Sequence, residues 1–285
     1  MRLKIVQALE ELPYRGEFGA ARPPALAALS LPPYPMPSHD RGRPLKAWRY
    51  IGVFAPELML CLGHVRIARA HQTFWAIWDR ESQRLYERTV IGHGGLTLAP
   101  GFAQIADEEV QLELHLKESA GIEAICPAGR SYAWTRKQGG AHATGTIAIG
   151  HTRRAIDARA VIDDTAAYYP RRTSWRWSAG VGIARDGREL AWNLVSGVND
   201  PPRDSERTLW IAGEPREVGP CRFADDLRSV DGLRFHSEAA RDRRDNLLLV
   251  RSVYRQPFGT FSGELPGGIA LAEGYGVMEE HEAWW

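Results

Sequence analysis

The sequence predicts an all-β protein in which two antiparallel, barrel-like halves pack together behind a proline-rich arm. Three observations carry that reading. From Trp48 to the C-terminus the chain is a succession of aromatic and branched runs bounded by turn residues. No helical period of ten or more residues occurs before about residue 155. The runs also form two sets of similar size that divide near 155–165.

Residues 1–45 contain proline pairs at 23–24 and 32–33 and read as an extended arm, with a short helix only at about 4–11. The first half, 46–160, opens with WRYIGVF (48–54), LMLCLGHVRI (58–67) and HQTFWAIWD (71–79), followed by a polar turn at 79–84. VQLELHLKE (110–118) alternates apolar and polar residues, the period of a half-buried strand. The second half, 161–285, holds runs at 172–184, 189–198, 207–213, around 230–238, 246–255 and 268–285. Between the runs around 230–238 and 246–255, RDRRD (241–245) mixes charges and is expected to be a solvated hairpin turn.

The chain has 285 residues, 44% hydrophobic and 25% charged, with a formal net charge of +1. That balance offers no field or basic stripe for nucleic acid. Nearly all basic residues are arginine; only Lys4, Lys46, Lys117 and Lys137 are lysine. Cys61, Cys126 and Cys221 are far apart, which argues against a disulfide framework and against a structural metal site. No segment approaches 18 consecutive apolar residues and the N-terminus lacks a signal-peptide stretch, so a cytoplasmic location without a transmembrane segment is expected.

Dinucleotide, phosphate-loop, HExxH and G-x-S-x-G signatures are absent, and no cofactor or metal is expected. Three stretches carry possible chemistry. In YYPRRTSWRW (168–177), Trp175 and Trp177 share one strand face and Arg176 takes the other, with Tyr169 and Arg172 at the entrance. The tryptophans are either core or the wall of an apolar pocket, and the arginines either surface or anion holders. In AWNLVSGVNDPP (191–202), Trp192 and Asn193 point to opposite faces, and a buried Asn193 needs partners in a core network or a pocket. Asn199 to Pro202 read first as a turn.

In the last run, Glu273, Tyr275, Val277, Glu279 and His281 share one face, while Met278, Glu280, Glu282 and Trp284 share the other. A carboxylate turned into an aromatic-lined barrel would have a raised pKa and serve as a general acid. Chelation by Glu280, His281 and Glu282 is disfavoured, because adjacent strand residues point in opposite directions.

GRPLKAWRYIGVFAPELMLCLG (42–63), FWAIWDR (74–80), YYPRRTSWRWSAGVG (168–182), AWNLVSGVNDPP (191–202), SERTLW (205–210) and EGYGVMEEHEAWW (273–285) together resemble a bacterial family, domain of unknown function 2804. The resemblance runs from about Leu31 to the C-terminus. It implies a distant similarity to carotenoid 1,2-hydratases, tocopherol cyclases and lipocalin-like pericyclases, and with it two calycin-like barrel halves that hold isoprenoid- or polyketide-like molecules. The hydratase-like enzymes carry an Asp-His pair beside a tryptophan on an interior strand. Here Trp175-Arg176-Trp177 has arginine instead, so acid chemistry must come from elsewhere, with Glu280 or Glu282 as the expected acid.

The expected function is binding of an apolar, lipid- or isoprenoid-like molecule in a barrel pocket formed by Tyr169, Arg172, Trp175, Arg176, Trp177, Trp192, Asn193 and His281. The alternatives are an acid–base hydratase, isomerase or cyclase acting on such a molecule, and a structural protein with filled barrels.

Overall fold

The computed structural model describes residues 2–247 and 250–285. Of the run 246–255 expected as one strand, residues 248 and 249 lie outside the described residues. Strand accounts for 65% of the chain and helix for 5%.

The arm contributes helix α1 (Arg2–Glu10), strand β1 (Tyr14–Glu17), a 3-10 turn at Pro24–Ala28 and a short ribbon of β2 (His39–Asp40) and β3 (Arg43–Pro44). The first half then runs through β4 (Lys46–Phe54), β5 (Leu58–Ile67), β6 (Ala70–Asp79), β7 (Arg84–Ile91), β8 (Leu96–Ala99) and β9 (Phe102–Ala106). It continues with β10 (Val110–Lys117), β11 (Ile122–Ala128), β12 (Ser131–Ile149) and β13 (Thr152–Ala167). The second half holds β14 (Arg172–Ala184), β15 (Glu189–Ser196), β16 (Thr208–Ile211) and β17 (Glu214–Glu217). It ends with β18 (Ser229–Val230), β19 (Leu233–Leu247), β20 (Val250–Leu265) and β21 (Ile269–Trp284).

These strands make two large antiparallel sheets. The first has the order β7-β6-β5-β4-β13-β12-β10-β9-β8, with β11 and β1 attached through the early part of β12. The second has the order β17-β16-β15-β14-β21-β20-β19-β18. The change of sheet falls at residues 168–171, after a β13 that runs through the expected dividing zone.

Each sheet curls around its own core. Leu96 on β8, near one edge of the first sheet, packs in one cluster with Leu60 and Leu62 of β5 and Ile77 of β6. In the second sheet Leu209 and Ile211 of β16 meet Phe235 of β19 and Phe261 of β20. Aliphatic and aromatic side chains fill both concave faces, and that burial is the main driving force for each half.

A third apolar layer lies between the sheets. Tyr50, Phe54, Met59, Cys61, Trp78 and Val161 from the first sheet pack on Trp177, Ala179, Val181, Val195, Trp210, Phe258 and Val277 from the second. Strands such as β4, β14 and β21 are therefore buried on both faces. The arm closes one end: Arg15 of β1 donates to the Ser205 carbonyl at 2.5 Å and to Thr208 Oγ1 at 2.8 Å, tying the arm to the second half.

The RDRRD stretch is not a turn. It lies inside β19, and Arg241 is only 3% exposed. Its guanidinium stacks over Phe74 (4.1 Å) and Tyr254 (5.1 Å), two rings distant in sequence that replace solvent around the charge. Among the described residues, no helix is long and apolar enough to cross a membrane.

Candidate functional site

The alternation of each strand decides which side chains meet between the halves. On β14, Trp175 and Trp177 face the first sheet, whereas Arg176 faces away. On β21, Val277, Glu279 and His281 share the inter-sheet face, and Met278 lies in the inner core of the second sheet. On β4, Trp48 and Tyr50 complete the opposite wall.

These residues enclose a cavity of about 100 Å³ between the two sheets. Its walls are Trp48, Tyr50, Phe74, Val65, Trp175 and Trp177, with Glu279, Tyr254 and His281 on one side and Lys137, Asp163 and Glu206 on another. The side chains of each core occupy the interior of its own half, and this cavity lies where the halves meet.

Glu279 is 7% exposed. Trp175 donates its indole N–H to Oε1 at 2.7 Å and Gln256 donates its amide to Oε2 at 2.7 Å. Burial pushes the Glu279 carboxyl up to about 7, because these donors and Tyr254 only partly replace the lost water. His281 packs its ring on Trp175, with centroids 4.3 Å apart, and Nε2 lies 2.7 Å from Ser252 Oγ. Burial and the nearby Arg241 hold this imidazole well below the usual histidine range, so it is neutral at pH 7.

The other side is an ionic network. Lys137, 2% exposed, reaches Asp163 at 2.5 Å and Glu206 at 3.2 Å. Asp163 also accepts from the Trp48 indole at 3.1 Å and from Thr165 at 2.9 Å. Asn199 donates to Glu206 at 3.0 Å and to the Tyr169 hydroxyl at 2.6 Å. Burial and the neighbouring Asp163 raise the Glu206 carboxyl despite Lys137. Three buried polar atoms on the lining residues have no partner among the described residues: Arg49 Nε, the Tyr50 hydroxyl and Asn199 Oδ1.

The expected site residues fall into three groups. Trp175, Trp177 and His281 line the cavity. Tyr169 and Asn193 stand behind it; Asn193 accepts from the Trp177 indole at 2.7 Å and donates to the Glu206 carbonyl at 2.9 Å, fixing the ring. Trp192 faces the inner core of the second sheet, edge-on to Phe261, and donates to Ser178 at 3.1 Å.

Arg172, Arg176, Glu280 and Glu282 lie on the other side of β14 and β21. Glu282 is bound by Arg172 at 2.5 Å and Glu280 by Arg176 at 2.9 Å, with side chains 32% and 46% exposed. The requirement set for a general acid, a carboxyl facing a cavity with a raised pKa, is met by Glu279, one residue away on the opposite face. Tyr50, Lys137, Asp163, Glu206, Tyr254 and Glu279 complete the site beyond the sequence-derived set. For Lys137 the sequence does hold a signal: it is one of four lysines in an arginine-rich chain.

The chain is similar to several solved structures, and one of them, at a TM-score above 0.5, shares the fold. Kievitone hydratase from Nectria haematococca superposes with a TM-score of 0.55 at 13% identity, covering 82% of this chain and 88% of that one. An AttH-like protein from Nitrosomonas europaea gives 0.49 at 15% identity, covering 89% and 98%. CghA gives 0.41 at 10% identity, covering 84% and 87%. No curated protein matches the chain. The family model described as Domain of unknown function (DUF2804) matches residues 93–285, more than half of the sequence, and the chain belongs to that family.

Proposed function

We propose that the inter-sheet cavity binds the compact, unsaturated part of a small apolar molecule. The observation that carries this is a cavity walled by Trp48, Tyr50, Phe74, Trp175 and Trp177 with a buried, protonatable carboxyl in its side. Its volume of about 100 Å³ is set against the roughly 150 Å³ of an engineered cavity that holds benzene. A single ring or a prenyl unit is therefore the right size, and a long acyl chain is too large. The unpartnered Tyr50 hydroxyl and Asn199 Oδ1 favour a ligand that brings a hydroxyl or similar polar handle.

A second reading, acid–base catalysis on such a molecule, is favoured by Glu279. A carboxyl with a pKa of about 7 is half protonated at neutral pH, the condition for efficient proton transfer. Glu279 would give its proton to one carbon of an alkene. The tryptophan and tyrosine faces would hold the resulting cation, and water would add to the other carbon and return a proton to the carboxylate. The fold shared with kievitone hydratase is compatible with that chemistry and does not by itself assign it.

The test is solvent extraction of protein purified from a bacterial host, read by mass spectrometry, beside a Trp175→Ala/Trp177→Ala variant. A stoichiometric unsaturated molecule, lost in the variant, is expected. A molecule retained equally by both proteins would refute the placement. For the second reading, incubation of that molecule in D₂O should deposit deuterium at the former alkene carbon, and Glu279→Gln should abolish it.

A further inference from the structure

A separate cluster lies at the open end of the first sheet. His64 on β5 and His71 on β6 share the face that carries Leu62 and Trp75, the inner side of that sheet. His93 stands in the loop between β7 and β8, flanked by Gly92, Gly94 and Gly95. All three glycines have positive φ, and a methyl at Gly94 would fall 2.7 Å from Val90 Cβ. Thr73 Oγ1 donates to the Gly92 carbonyl at 3.2 Å and holds the loop against β6. The loop thus has a shape that only glycine tolerates, and His93 is at its crest.

The three imidazoles form a nearly equilateral triangle. Ring centroids are 5.1 Å apart for His64 and His71, 5.3 Å for His71 and His93, and 5.9 Å for His64 and His93. The point equidistant from the three centroids lies about 3.2 Å from each. A zinc ion bonded to an imidazole nitrogen at about 2.0–2.1 Å sits roughly 3.2 Å from the ring centre. We propose that His64, His71 and His93 bind a divalent transition-metal ion, zinc above all.

Among the described residues no group of three or more His, Cys, Asp or Glu side chains is arranged, as the rings stand, to hold a metal ion. His64 Nε2 and His71 Nδ1 instead face each other across a 2.9 Å hydrogen bond. Turning an imidazole about its Cβ–Cγ bond leaves the ring centre nearly in place, and the proposed site requires such turns. Metal binding then displaces the shared proton. Arg66 is the charged neighbour and opposes a cation. Three nitrogen ligands leave one coordination position open.

The experiment is titration of untagged, chelator-treated protein with Co²⁺, followed by its visible d–d absorption, and then displacement by Zn²⁺. One Co²⁺ per chain is expected, released by Zn²⁺. His64→Ala, His71→Ala and His93→Ala should each weaken binding by about tenfold or more. His93 is exposed, so its variant keeps the fold, and thermal unfolding checks this. His151→Ala, at an exposed site elsewhere, should change nothing. Absence of saturable Co²⁺ binding, or binding unchanged in His93→Ala, overturns the proposal.

Discussion

The indole of Trp175 and the carboxyl of Glu279 are joined by a 2.7 Å hydrogen bond between neighbouring strands β14 and β21. One contact therefore sets both an aromatic wall and the proton affinity of the buried acid. The donated N–H favours the ionised form and opposes burial. Trp175→Phe keeps the wall and removes the donor. The Glu279 pKa is then expected to rise further above 7, seen as an alkaline shift of its carboxyl titration by NMR.

Glu279 also couples stability to pH. Its folded pKa, about 7, lies above the ordinary 4.5, so its contribution is fully present below about pH 4.5 and is lost as pH rises through 7. The full effect is at most about 3 kcal/mol. His281 acts in the opposite direction, since its depressed pKa costs stability as pH falls below 6.5. The informative quantity is the difference between wild type and Glu279→Gln in urea unfolding. The variant is expected to gain relative to wild type between pH 5 and 8.

Lys137 compensates two carboxylates at once. Lys137→Met leaves Asp163 and Glu206 facing each other without a cation, and a loss of about 3–5 kcal/mol is expected in urea unfolding. Adding Asp163→Asn and Glu206→Gln to that variant should restore much of the loss, because the uncompensated charge is then gone.

Gly139 lies at the irregularity where β12 shifts register against β13, and it lets Trp210 of the second sheet approach. A Cβ there would fall 2.2 Å from the indole. Gly139→Ala is expected to cost about 1–3 kcal/mol through displaced packing between the sheets. The urea midpoint measures it.

Much of this architecture was legible as a succession of runs. Turn residues at 79–84 and the alternation of 110–118 mark β6, β7 and β10. The site was harder to read, for one physical reason. A strand with one wet face shows which side is buried, but β21 buries Val277 between the sheets and Met278 inside the second sheet. With carboxylates on both faces, its pattern could not choose between Glu279 and Glu280. Only the packing of the first sheet on β14 and β21 decides it. Arg241 failed for a related reason: its aromatic partner Phe74 is on another sheet, and no local pattern announces it.

The most direct test of a ligand cavity between the halves is a crystal structure under xenon pressure. Xenon enters apolar cavities, and the side of this one formed by Val65, Phe74, Trp175 and Trp177 is apolar. The expected result is a xenon atom among Val65, Phe74, Trp175 and Trp177 and none within the inner cores of either sheet. Xenon inside the cluster around Leu62 and Leu114 or the one around Trp192 and Phe261, with none between the sheets, would contradict it and return the ligand site to a barrel interior.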